Sequence, residues 1–328
     1  MEQQVDPILM TRYFVRQRSI SPLVRCMEFE YKNETGFIFL LELYPGVQLW
    51  VNDFKMQEIW MPQIEDYHYL KLNCCLVGRC EVKLPDNRYV YLSDSRVSVD
   101  LNPAFGWVTL PTARYHGLVL LIDLSVIKEN QPAAWKDYGL ELCQAEALLS
   151  GQKGSWLGLA TPEWRQKAGV LAERITKGDS DLEDYRFWTA ELLYLLKKGS
   201  CSMPAAEQAF LTQGQRAVAI HVEQKLNSDL SKKHRITELA EEQGVSPSAL
   251  KKYFAQIYGK PISVYVREKR MKQAQKLLST TQISIADIAA MVGYENQGKF
   301  GAAFRKITGA TPLEFRRLNH HHFRYKEN

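Results

Sequence analysis

Ile236-Thr-Glu-Leu239-Ala240 and Ile285-Ala-Asp-Ile288-Ala289 open two copies of one pattern, and that repeat constrains the chain more than any other feature in it. In each copy a branched apolar residue stands eight positions before a glycine, a second stands five before it, and an alanine four before it; the glycines are Gly244 and Gly293. Leu250 and Phe254 follow the first glycine, Phe300 and Phe304 the second, with one extra residue in the second turn. Each copy ends at a further glycine, Gly259 or Gly309, and then Pro261 or Pro312. These offsets predict two helix-turn-helix units. The alanine lets two helices cross closely, the glycine permits a positive φ in the turn, and the second helix buries one face through residues four apart. Ser246-Pro247 supplies an N-cap and a first-turn proline, and Ser284 with Asp287 a capping box. The stretch between the copies, about Ile262 to Ser279, reads as one long helix.

Charge divides the chain in the same place. From Gly214 to the end, 20 Lys+Arg stand against 10 Asp+Glu, a net of +10; residues 1–213 hold 22 against 27, a net of −5. All seven Trp and all six Cys precede residue 202. A strongly basic back half suits a polyanionic partner. No apolar run approaches the roughly 18 residues that a membrane span needs. The opening MEQQVDPILM has acids where a secretory signal has bases, and a cytoplasmic protein is expected. Six Cys in 328 residues are too few for a disulfide scaffold.

The front half reads as strands. Phe37–Leu43 ends at Pro45-Gly46, and Val47, Leu49 and Val51 then alternate with Gln48, Trp50 and Asn52. Cys80, Val82 and Leu84 alternate in the same way before a turn at Pro85-Asp86-Asn87. Tyr89–Leu92, Arg96–Leu101, Trp107–Leu110 and Gly117–Leu124 bring the count to about eight, an antiparallel sandwich or barrel. Thr161-Pro162 opens a helical hairpin carrying Leu171, Ile175, Leu182, Phe187, Leu192, Tyr194 and Leu195, with a break at Lys177-Gly178-Asp179. The expected divisions are a β-rich domain at 1–160, helices at 161–197, a linker at 198–213, the repeat-bearing domain at 214–318 and a tail at 319–328.

Residues 215–318, through ITELAEEQGVSPSALKKYFAQIYGKPISVYVREKRMKQAQKLL and ISIADIAAMVGYENQGKFGAAFRKITGATPLEFRR, resemble the DNA-binding domain of the AraC/XylS family of bacterial transcription regulators. The resemblance implies an α+β chain. A jelly-roll (cupin-like) effector domain with a helical hairpin would precede an all-α domain of two helix-turn-helix units joined by a long helix. It also implies promoter DNA, a small-molecule effector and RNA polymerase as partners, dimerisation through the hairpin, and activation as the output. On the positions the family uses for the major groove stand Ser248, Lys251 and Lys252 in the first unit, and Asn296, Gln297 and Lys299 in the second. Gln297 is the candidate for reading adenine. Arg305, Lys306, Arg316 and Arg317 are candidate phosphate contacts. Gly301, Ala302 and Ala303 depart from the Arg, Thr or Ser of many relatives. GYENQGKFGAAFRK and HGLVLLIDLSVI look most like the siderophore-responsive branch, which implies a ferric siderophore as effector.

Within the front domain Trp50, Trp60, Tyr67, Tyr69, Trp107 and Tyr115 are candidate walls of an effector pocket, and Arg79, Arg96 and Arg114 candidate anion holders. His68 and His116 form no His-x-His, so neither a metal nor another cofactor is expected. Cys74, Cys75 and Cys80 lack C-x-x-C spacing and read as core thiols. His320-His-His322 lies past the last motif. No P-loop, G-x-S-x-G or paired-carboxylate signature is present, and the chain reads as a regulator rather than an enzyme. Two alternatives stay open: a front domain that binds a protein partner or only itself, and a Cys-based sensor or enzyme fused to a DNA-binding domain.

Overall fold

The computed structural model describes residues 14–31, 34–61, 68–84, 87–94, 96–102, 106–140, 142, 149, 155–202 and 210–320. The chain divides into two units, Met1–Thr212 and Gln213–Asn328. Among the described residues no helix is long and apolar enough to cross a membrane.

The first unit is built on antiparallel strands: β1 Phe14–Ser19, β2 Val24–Tyr31, β3 Glu34–Tyr44, β4 Val47–Lys55, β5 Glu58–Met61, β6 Tyr69–Lys83, β7 Tyr89–Ser93, β8 Arg96–Leu101, β9 Gly106–Thr109, β10 Tyr115–Asp123, β11 Ser155–Ala160 and β12 Cys201–Ser202. Ten of these form one sheet in the order β1-β2-β3-β4-β10-β6-β8-β11-β12, with β7 on β6, and β5 pairs with β9 alone. The middle of this sheet is legible in the sequence. Strands β1, β2, β5, β11 and β12 are not, and of the 15-residue β6 only the last third is.

One face of the sheet is apolar. Val47, Leu49 and Val51 of β4, Leu70, Leu72 and Cys74 of β6, and Leu118, Leu120 and Ile122 of β10 join a single buried cluster. Two helices, α3 Pro162–Lys177 and α4 Leu182–Leu195, contribute Trp164, Leu171, Ile175, Tyr185 and Leu192 to it. Short helices α1 Leu124–Ile127 and α2 Ala133–Asp137 add Ile127 and the fully buried Trp135. Thr161 Oγ1 accepts from Trp164 N at 3.2 Å, the expected N-cap. Trp164 Nε1 donates to the Leu192 carbonyl at 3.0 Å, pinning the two long helices together, and Arg186 Nε donates to the Leu43 carbonyl at 2.9 Å, pinning α4 to β3. Phe187 and Tyr194, read as apolar-face residues, are instead exposed. The stretch expected to be a linker is partly built into this unit: Cys201 pairs with Ala160, and the buried Leu211 bridges to Tyr89.

The second unit is helical: α5 Gln213–Ser228, α6 Ile236–Glu242, α7 Pro247–Tyr258, α8 Ile262–Thr280, α9 Ile285–Met291, α10 Gln297–Thr308 and α11 Pro312–His320. The repeat is realised as two helix-turn-helix units, α6–α7 and α9–α10. Ser246 Oγ accepts from Ala249 N, Ser284 Oγ from Asp287 N, and Asn296 Oδ1 from Lys299 N. One backbone bond closes both turns, Val245 N to Ala240 O at 3.0 Å and Tyr294 N to Ala289 O at 2.8 Å, so the extra residue of the second copy enters after it. Buried Leu250, Phe254 and Ile257 face the first core, where the Phe254 ring meets Tyr265 of α8 edge-on at 5.2 Å. Met271, Ala274 and Leu278 of the same α8 join Ile288, Ala289, Phe300 and Phe304 in the second core.

Gly244 and Gly293 both have positive φ, +64° and +79°, but their surroundings differ. A Cβ at 244 meets nothing within 4 Å, whereas one at 293 falls 2.6 Å from the Arg270 guanidinium and 2.7 Å from the Ser231 carbonyl. Gly244→Ala is expected to cost about 1–2 kcal/mol through the left-handed backbone alone. Gly293→Ala should cost about 1 kcal/mol more, because a backbone oxygen cannot move aside. Urea denaturation followed by helical circular dichroism checks the order; equal costs would show that Arg270 and Ser231 yield freely.

Candidate nucleic-acid interface and ligand cavity

The second helix of each unit buries one face and leaves the other to solvent. Ser248, Lys251 and Lys252 are exposed on α7, while Asn296, Gln297, Lys299, Arg305 and Lys306 are exposed at and along α10. Lys225 and Lys233 are held by Glu242 and Glu295. Lys251, Lys252, Lys299, Arg305 and Lys306, in contrast, have no hydrogen-bond or ion-pair partner among the described residues. Unpaired cations on one helix face are what a phosphate backbone neutralises. Two of the expected contact residues have prior commitments. Asn296 Oδ1 caps α10 at 3.0 Å, leaving only its amide nitrogen free, and Ser248 Oγ lies 3.0 Å from Ser246 Oγ. Arg316, read as a phosphate contact, turns inward and donates to the Ile283 carbonyl, while Arg317 stays exposed. The α8 helix, with 19 residues, is about 28 Å long, close to the ~34 Å between successive major grooves on one face of DNA.

In the first unit a cavity of about 100 Å³ opens on the sheet face opposite α3 and α4. Its walls mix apolar residues, Phe54, Ile59, Val108 and Leu110, with a polar set that the sequence reading missed: Asn52, Lys71, Asn73, Glu81, Asp100 and Ser155. Tyr115 crosses the cavity wall because residue 117 is glycine. A Cβ there would lie 2.4 Å from the Tyr115 hydroxyl, which instead donates to Asn73 Oδ1 at 2.6 Å. Asp100 is buried and accepts from Ser98 Oγ at 2.8 Å. Burial pushes its pKa up, while the hydrogen bonds from Ser98 and Ser155 and the charge of Lys71 pull it down.

Of the effector residues read from sequence, Tyr115 and Trp107 line this cavity, and Trp60 packs edge-on against Trp107 with ring centres 5.4 Å apart. Trp50, Tyr69, Arg79, Arg96 and Arg114 do not line it, and Tyr67 lies outside the described residues. Arg114 is instead paired with Asp53. Inward strand parity was the available signal for the missed set. Asn52 sits in phase with Trp50 and Phe54, and the sequence alone does not say that this face is covered. Among the described residues no group of three or more His, Cys, Asp or Glu could hold a metal ion. Cys74, Cys75 and Cys80 are buried, and burial pushes the thiols of Cys74 and Cys80 up to about 12.

The fold and the repeat define the 239–318 segment as a helix-turn-helix domain, and these residues match the family described as "Helix-turn-helix domain". The chain is 40% identical over 81 residues to the Arabinose operon regulatory protein of Escherichia coli (strain K12), a match covering 25% of this chain and 28% of that protein. It is 32% identical over 95 residues to the HTH-type transcriptional activator RhaR of the same strain, covering 29% and 34%. Among solved structures, the C-terminal domain of AraT, a response regulator from Geobacillus stearothermophilus, matches at 31% identity over 33% of this chain and 87% of that one, with a TM-score of 0.29. The matched segment spans 28–34% of the length of these curated relatives.

Two expectations follow from this geometry. Asn296→Ala should lower the stability of the helical unit by about 1 kcal/mol through the lost cap, while Gln297→Ala leaves it unchanged; urea titration of both variants separates them. The buried thiols should resist iodoacetamide at neutral pH in the folded chain and react on denaturation, read by mass spectrometry. Rapid modification of Cys74, Cys75 or Cys80 in the native state would point to a reactive thiol.

Proposed function

We propose that the chain is a ligand-responsive DNA-binding transcription regulator of the AraC/XylS type. The observation that carries this reading is the pair of helix-turn-helix units, each presenting unpaired lysines on its second helix, in a segment 40% identical to an arabinose operon regulator. Lys251, Lys252, Lys299, Arg305 and Lys306 bind phosphates and fix register; Gln297, beside the capping Asn296, reads a base edge. Ser248 supports the first contact. The domain roles follow: residues 214–318 bind promoter DNA, 161–197 pair two copies, and the sheet-rich unit is a jelly-roll (cupin-like) effector domain. Ligand shifts the balance between two conformations by binding one more tightly. The output is activation through contact with RNA polymerase, in the cytoplasm. The high thiol pKa values disfavour a Cys-based sensor, and the polar cavity favours a small ligand over a protein partner.

The resemblance implies a ferric siderophore as effector. Drug-sized ligands fill roughly 300–1,000 Å³, several times the volume of about 100 Å³ in this cavity. The interior suits something smaller.

Selection of duplexes from a random pool with the full chain, followed by fluorescence anisotropy at several salt concentrations, tests the reading. Lys252→Ala should weaken binding uniformly and lower the salt slope by about 1. Gln297→Ala should relax preference at one base pair, worth about 1–3 kcal/mol. If both variants bind the selected duplex as the unmodified chain does, the docking is wrong; if no duplex is enriched, the regulator reading falls.

A further inference from the structure

The cavity lining is chemically specific. Asn52 is 4% exposed, and its Oδ1 accepts no hydrogen bond from the described residues. A buried acceptor of this kind calls for a donor. Asp100 and Lys71 are register partners on β8 and β6, and both line the cavity. Directly opposed residues stand about 5 Å apart at Cβ. Asp100 is fixed by the hydroxyls of Ser98 and Ser155, which leaves part of its carboxylate facing the cavity. Lys71 has no hydrogen bond or ion pair among the described residues. A fixed anion and a cation that makes no hydrogen bond stand side by side, with an unsatisfied amide oxygen on the same wall, and they describe a complementary ligand: a cation and an anion two or three bonds apart, and a donor on a short tail. The size agrees, since a cavity of ~150 Å³ admits benzene and this one is about 100 Å³.

We propose that this cavity binds a small polar amino acid, its ammonium on Asp100, its carboxylate on Lys71 and a hydroxyl or amide tail on Asn52. This rests on the reading of the first unit as the effector domain and assigns the effector's chemical class in place of the siderophore.

The test uses the full chain and L-serine, with L-alanine, ethanolamine, glycerate and glycerol as controls. Binding is read by intrinsic tryptophan fluorescence, to which Trp107 in the cavity wall contributes, and by thermal shift. L-serine should bind, and removing either charge, as in ethanolamine or glycerate, should weaken binding about tenfold or more. Lys71→Met should do the same to L-serine; that residue is only partly buried, so the fold survives the change. Asn52→Ala should make serine and alanine equivalent, and circular dichroism confirms that the variant is folded.

If glycerol binds as well as L-serine, and Lys71→Met changes nothing, the zwitterion assignment is overturned while a sensing role survives. If none of the probes binds at millimolar concentration, the assignment falls. Native mass spectrometry of freshly purified chain then decides the wider reading, since a co-purified molecule of another class preserves it and a bare chain removes it. If L-serine binds but leaves affinity for the selected duplex unchanged, the site stands and the ligand-responsive reading falls.

Discussion

One helix, buried at both ends, holds the two helix-turn-helix units together. Residues Ile262 and Tyr265 of α8 pack into the first helix-turn-helix core, and Met271, Ala274 and Leu278 into the second. The two second helices are thereby referenced to a single rigid rod rather than to each other. Arg270, midway along the rod, donates to the carbonyls of Gly293 and Lys232 at 3.1 Å each. The turn of the second unit is therefore tied to the rod and to the α5–α6 connection at once. A glycine is required at 293 because this clamp leaves no room for a Cβ; at 244 it is required only by the backbone angle.

The sheet-rich unit solves a different problem. Its large sheet spends one face on an apolar cluster with α3, α4 and Trp135, and that face supplies most of the burial. The opposite face has its own apolar residues, including Phe29, Phe54 and Leu110, but interrupts them with Asn52, Asn73 and Asp100. Buried polar groups are the least economical way to fill a core, so their placement between strands β4 and β8 reflects something other than stability. The hydrogen bond from Tyr115 to Asn73, made possible by Gly117, shows the wall arranged around those groups.

What could be read from the sequence tracks how local each determinant is. The helix-turn-helix units announce themselves through offsets within about ten residues, and through caps at Ser246 and Ser284, each satisfied within three residues. The sheet is set by long-range pairing. Strand β11 pairs with β8, more than fifty residues earlier, and carries Trp156, Gly158 and Leu159 with no clean alternation, so nothing local marks it. The pocket residues are harder still. Aromatics and arginines were the natural candidates, yet Arg114 answers to Asp53, and the cavity is lined by asparagines and by a lysine–aspartate pair whose inward facing depends on what covers the sheet.

The same distinction between local and tertiary cause bears on the second half of α10. Ala303 packs at the edge of the second core beside Phe300 and Phe304, so its small size serves the interior. Gly301 and Ala302 do not share that reason. A Cβ at 301 would meet nothing within 4 Å, and Ala302 is exposed. A mid-helix glycine costs about 1 kcal/mol relative to alanine. No packing demand within the described residues offsets that cost, so the residue is explained by the outer surface of the helix. That surface is continuous along one turn with Gln297 and one further turn with Arg305, an amide and a cation flanking a stretch of bare backbone. The first unit has the opposite design, with Lys251 and Lys252 adjacent at the equivalent turn of α7. Lys251 and Lys252 thus stand in α7 where α10 has Gly301 and Ala302, and α10 carries its cations to either side, at Lys299, Arg305 and Lys306.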